Sequence, residues 1–157
     1  MQMSEEAQWA RELRALPDAI QAVLASASDD AIRQRPAAGE WSAVEVAGHL
    51  IDKATNWHAR VRSIQESDRP TIVLCDQDQC VRDAGYQSWD TGRISTAVRN
   101  AWESFARTVE GLPSEAIERI GLHPKLGELT IRRCIVLPLE SLPNHLQQAR
   151  GAIASAR

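Results

Sequence analysis

The residues of this chain that could do chemistry gather first in Glu40-Trp41-Ser42-Ala43-Val44-Glu45-Val46-Ala47-Gly48-His49-Leu50-Ile51-Asp52. Read as a helix, this stretch places His49 between Glu45 and Asp52 at one-turn spacing. A histidine flanked by carboxylates can ligate a metal or move a proton, with a carboxylate to orient its ring. At about 100° per residue, Glu45, His49, Asp52, Lys53, Asn56 and Arg60 form a polar stripe beside the apolar one, so His49 lies at the edge of the buried face. That edge suits a ligand in a cleft, and it equally suits an ordinary half-buried histidine. Ser141 and His145, four apart, have the spacing of a Ser–His nucleophile pair, but no oxyanion hole or third orienting group accompanies them. His58 is half a turn out of phase with His49 and reads as a helix-edge histidine. Cys75, Cys80 and Cys134 are odd in number and form no CxxC pair, so they read as isolated reduced thiols of a cytoplasmic protein. Cys134 lies three turns before His145, roughly 16 Å along a helix, too far to share one ion with it. No glycine-rich phosphate loop is present.

These side chains need helices to hold them, and four long amphipathic segments supply them. Trp9, Leu13, Leu16, Ile20 and Val23 line one face of a first helix from about residue 4 to 27, with Pro17 as a kink or a division. Asp30 can cap a short turn through Ile32, and Arg35-Pro36-Ala37-Ala38-Gly39 is a loop. Ser42 with Glu45 has the pattern of a capping box, opening a second helix to about Glu66. Residues 67 to about 91 read as a long extended crossover, in which Thr71–Cys75 resembles a strand without a partner. Ile94, Val98, Ala101, Phe105, Val109 and Leu112 keep the seam of a third helix, which ends at Gly111-Leu112-Pro113. A turn-rich loop follows at 121–128. The last helix runs from about Thr130 to Ser155, and Pro138 and Pro143 should bend or break it. The fold expected is all-α: a four-helix bundle in a single domain, residues 1–157, with a long crossover between helices two and three.

Composition narrows the function. The chain has 157 residues, 43% of them hydrophobic and 25% charged, which is ordinary for one soluble domain with a real core. A net charge of -3 without a basic cluster argues against nucleic acid as a partner. No apolar run approaches a membrane span, and the N-terminal residues lack the charge and apolar core of a secretory signal.

Several segments together resemble the DinB/YfiT-like family of four-helix bundles. They are Arg35-Pro36 with Gly39-Glu40-Trp41-Ser42, Glu45 with His49-Leu50-Ile51-Asp52, Asp68-Arg69-Pro70, Gly121-Leu122-His123-Pro124 with Gly127-Glu128-Leu129-Thr130, and His145-Leu146-Gln147-Gln148. The likeness runs from about residue 28 to 150, and it lies in the order and spacing of the pieces. It implies a divalent metal, commonly zinc or nickel, held by one histidine of the second helix and two of the last. It also implies a homodimer, and chemistry of the thiol-transferase or metal-dependent hydrolase kind on a small molecule such as a thiol. Carried over, the metal ligands are His49 and His145. The third ligand position falls on Ser141, a poor zinc ligand. Glu45, Asp52 or His123 could stand in for it. Two readings therefore face each other: a divalent-metal enzyme with an incomplete histidine triad, and a metal-free, non-catalytic bundle acting as a small-molecule-binding or stress-related module. Trp9, Trp57 and Trp102 add an apolar surplus that a homodimer could cover.

Overall fold

Every α-helix begins where the sequence offers a side-chain acceptor for its unpaired N–H groups. A computed structural model describes residues 1–156. Ser4 caps α1 (Glu5–Ala25). Ser28 caps the short α2 (Asp29–Arg33), because its backbone is still extended while Asp30, the expected cap, is already inside the first turn. Ser42 opens α3 (Ala43–Glu66) with the full capping box: Ser42 Oγ accepts from Glu45 N, and Glu45 accepts from Ser42 N. Asp76 caps α4 (Gln77–Ala84), and Gly85 ends it at φ 65°, a left-handed position that glycine takes without strain. A single 3₁₀ turn, Tyr86–Ser88, follows. Asp90 caps α5 (Thr91–Glu110), and a 3₁₀ turn at Ser114–Glu118 leads to the hairpin β1 (Ile120–His123) and β2 (Gly127–Thr130). Thr130 then caps α6 (Ile131–Ser155).

The four long helices α1, α3, α5 and α6 make the bundle. α1 packs chiefly on α5, and α3 fills the remaining sides against α5 and α6, while α1 and α3 scarcely meet. Trp102 and Phe105 are completely buried at the centre, among Leu13, Ile20, Leu50, Ile94 and Ile135. Trp9 is buried too, and Arg60 lies 4.2 Å over the half-buried Trp57 ring, so these tryptophans leave no apolar surplus. The expectation of a homodimer then has only the family resemblance behind it.

Several expectations are corrected. α1 passes through Pro17 and α6 through Pro138 and Pro143 without a break. Pro17, Pro138 and Leu142 are buried, and the packed face compensates the lost backbone bonds. The crossover is not wholly extended: α4 and the Tyr86 turn occupy it, hidden in the sequence because α4 buries only Val81. The loop at 121–128 is a hairpin, with Gly121 opposite Leu129 and Leu122 opposite Glu128. Its Leu122 also receives the expected lone strand: Ile72 N donates to Leu122 O and Leu122 N to Pro70 O, both at 2.8 Å. Cys75 and Cys80, read as separate thiols, are joined as a disulfide, since the first turn of α4 folds Cys80 back over Asp76. Cys134 remains a buried free thiol, pushed up to about 11 by burial.

Candidate functional site

The capping box that starts α3 also fixes its first turn against the loop before it. Arg35 donates to Glu45 twice, from Nε at 3.0 Å and Nη2 at 2.6 Å. Burial pushes the Glu45 carboxyl up, but the bonds from Arg35 and from Ser42 N more than offset it and hold it below 4.5. Glu45 is therefore fully occupied and has nothing left for a metal. Replacing it with alanine should cost about 1–2 kcal/mol, because the cap and a buried charge-assisted bond go together. A carboxylate held below its ordinary value stabilises the fold above about pH 4.5 and loses that contribution as pH falls further. Urea titrations of Glu45→Ala at pH 7 and pH 3.5 check both: the deficit should be present at the first and shrink at the second.

One turn on, His49 is 2% exposed. Its ring stands 4.8 Å from that of His145 on α6, edge to face, and 4.7 Å from Trp41. α3 and α6 are direct neighbours in the bundle, which is how residues 96 positions apart meet. Neither ring nitrogen of His49 has a hydrogen-bond partner, and neither has Nδ1 of His145. Burial, then the closeness of His145 and Lys53, whose protonated forms would repel a second charge, lowers His49 from 6.5 to about 3. Burial and Lys53 lower the half-buried His145 as well. Both imidazoles are thus neutral at pH 7, the state a metal ligand requires.

Asp52 comes next on the same face. Its Oδ1 accepts from the Tyr86 hydroxyl at 2.6 Å, while its Oδ2 is buried without a partner. Burial raises the Asp52 carboxyl, and burial together with the bond to Asp52 raises the Tyr86 hydroxyl. Tyr86 reaches this place because α3 carries glycine at 48. A Cβ there would lie 2.2 Å from the Tyr86 ring. The Tyr86 turn is itself clamped: Arg33 donates to Gln87 O and Trp89 O, both at 2.8 Å, and Ser42 Oγ donates to Gln87 Oε1 at 2.6 Å.

The other expected participants are engaged in bonds of their own. Ser141 Oγ donates to Pro138 O at 2.9 Å. His123 caps its own hairpin turn, Nδ1 accepting from Lys125 N and Leu126 N. His58 bonds Thr108 Oγ1 at 2.7 Å and stacks on Phe105, a structural position. Among the described residues no three His, Cys, Asp or Glu side chains converge as a metal-binding group. Two imidazoles sharing one tetrahedral zinc at about 2.0–2.1 Å each have ring centroids about 5 Å apart, a separation that the 4.8 Å between the His49 and His145 rings matches.

Trp41 and Tyr86 were not singled out in the sequence. Trp41 belonged to the family-like segment without a role, and Tyr86, the lone tyrosine, sat in a stretch read as extended. Trp41, whose ring packs on His49, borders an open cleft of about 440 Å³ with Gln148 and Gly151.

An all-α bundle carrying a buried histidine pair between its second and last long helices defines the class of protein. The chain belongs to the DinB superfamily, whose family model matches residues 12–149. It is 27% identical over 81 residues to a protein of Geobacillus thermodenitrificans named as a candidate metal-dependent hydrolase, an alignment covering 52% of this chain and 46% of that one. The matched region thus spans about half the length of that curated relative. Among solved structures, YfiT from Bacillus subtilis, described as a probable metal-dependent hydrolase with an unusual four-helix bundle topology, superimposes with a TM-score of 0.85 over 96% of this chain and 88% of its own. At 16% identity that likeness establishes the shared fold. No helix among the described residues is long and apolar enough to cross a membrane.

Proposed function

We propose that the protein is a divalent-metal enzyme of the hydrolase or thiol-transferase kind, with His49 and His145 as its metal ligands. The observation that carries this reading is the pair itself: two neutral imidazoles 4.8 Å apart, with three of their ring nitrogens buried and unbonded. Buried polar atoms left without partners are costly, and a ligand that satisfies them is the simplest reason to keep them. The names of the Geobacillus and Bacillus relatives agree with a metal. A bound zinc or nickel would supply Lewis acidity and a lowered pKa for a bound water or thiol. The chain's own part is to hold the two rings neutral, to cover His49 with Trp41, and to leave the remaining coordination positions open to water or substrate. Asp52, held by Tyr86, offers one unpartnered carboxylate oxygen on the same helix face for orienting a ring or taking a proton.

A metal-free bundle that binds a small molecule is the second reading. Ser141 favours it, since a hydroxyl engaged by Pro138 stands at the third ligand position. Zinc and nickel titrations decide between the two. The wild type should bind one ion weakly, and His49→Ala should lose it. Ser141→His should tighten binding about 100-fold, because α6 is continuous and positions 141 and 145 share one face. A wild type that takes up neither ion, with Ser141→His no better, establishes the metal-free reading.

A further inference from the structure

Farther along the polar face of α3, the chain holds a second set of groups that the histidine pair does not use. Arg60 is half-buried, and its Nε is buried without a hydrogen-bond partner. Among the described residues no carboxylate lies within ion-pair distance of Arg60 or of Lys53, two turns earlier. By contrast Arg35 and Arg99 each have one, and Arg14 and Arg132 each have two. Burying a guanidinium without a counter-charge is unfavourable, and the Trp57 face beneath it returns only part of the cost. Arg60 lines a groove of about 290 Å³ with Asn56 and Ser63 on the α3 wall and Val73, Leu74 and Cys75 on the other.

That second wall is held from behind. Ile72 is pinned to Leu122 of the hairpin, and Cys75 is tied to Cys80 at the start of α4. The N–H groups of Val73, Leu74 and Cys75 make no hydrogen bond to other described residues, although they belong to neither a helix nor a strand. A half-buried guanidinium, an amide and a hydroxyl line one small groove, beside a segment whose N–H groups are unbonded, and these are donors that suit an oxyanion. The groove is at the low end of small-ligand sites in size, so it suits a compact anionic group and not a nucleotide.

We propose that the groove between α3 and residues 71–75 binds the carboxylate or phosphate group of a small molecule, with Arg60 as its principal charge partner. The site stands apart from the metal reading, since none of its residues is a candidate metal ligand.

The test uses the whole chain in low-salt buffer with no divalent ion added, titrated separately with inorganic phosphate and with succinate. Amide and arginine Nε–H resonances are followed by NMR. Saturable shifts at Arg60 Nε–H and at the Val73–Cys75 amides are expected, together with a change in Trp57 emission as the guanidinium is drawn from its ring. Arg60→Gln should weaken binding at least 10-fold, and Arg60→Lys, which keeps the charge, should retain part of it. A response to phosphate alone assigns a phosphate-bearing ligand, to succinate alone a carboxylate, and to both an oxyanion site open to either. No saturable shift with either probe overturns the proposal, and so does an Arg60→Gln variant that binds as well as the wild type. The wild-type titration decides by itself if the variants do not fold. A histidine pair that fails to take up zinc leaves this outcome untouched, so the two readings fail separately.

Discussion

Lowering the pH from 7 to 4 should remove about 3 kcal/mol of stability through His49 alone. In the unfolded chain this imidazole binds a proton near 6.5, whereas in the bundle burial and the nearby positive groups hold it off until about 3. Between those values the unfolded state carries the extra proton, so stability falls as pH falls. The full contribution is present above 6.5, and the whole interval is worth about 5 kcal/mol at about 1.36 kcal/mol per tenfold change in proton affinity. His145 and His58 are lowered in the same direction by burial and add to the trend. The Glu45 contribution is lost mainly below about pH 4.5, so between 6.5 and 4.5 the slope reports His49 and not Glu45. Urea unfolding of the wild type and of His49→Phe at half-unit steps from pH 7 to 4 measures it. The wild-type curve should slope across the range and the variant's should be much flatter. Equal slopes would show that His49 titrates as an ordinary exposed imidazole.

Gly48→Ala should cost about 3 kcal/mol and disturb the site as well as the fold. The added methyl would stand 2.2 Å from two Tyr86 ring carbons and 2.8 Å from the Tyr86 Cβ. Those are not the ends of a flexible chain. Tyr86 is buried, packs edge to face on Trp89 and is part of a turn clamped by Arg33 and Ser42. Relief therefore requires the turn to lift from α3, which takes the hydroxyl away from Asp52 and leaves that carboxylate with neither oxygen satisfied. Overpacking of this kind is destabilising by about 1–3 kcal/mol, and the lost bond adds to it. Glycine is also the poorer helix former by about 1 kcal/mol, so a protein without the clash would gain stability from the same change. The sign of the measured difference thus decides whether Tyr86 packs on Gly48.

The bundle was legible because burial of a face leaves a 3.6-residue signature. Ile94, Val98, Phe105 and Val109 show it, and so does Ser42 with Glu45 at the head of α3. Where a segment buries little, the signature fades. α4 has only Val81 inside, and the hairpin is held largely by backbone bonds that side chains do not announce. Of the bend or break expected at the prolines of α6, the break does not occur for a related reason, since local propensity argued for it and tertiary packing prevailed. At the site, the polar stripe from Glu45 to Arg60 was read directly, because it lies on one helix. Its partners were not, because Tyr86 and Trp41 reach it through turns whose geometry is set by Arg33, Ser42 and Gly48 together.

The sparse contact between α1 and α3 bears on how the chain collapses. In a simple up-and-down bundle the first two long helices form a hairpin, and folding can begin from contacts a few tens of residues apart. Here α1 must wait for α5, so Arg14 meets Glu103, 89 positions away, only after a long loop has closed. Chains dominated by such distant pairings fold more slowly than local ones of equal stability, because ordering entropy is lost before the contacts that reward it are made. A fragment ending after α3 would expose the apolar seam of α1 with nothing to cover it. The nascent chain is in that condition until α5 has emerged, which makes the interval of synthesis between the two helices the period of greatest exposure to aggregation.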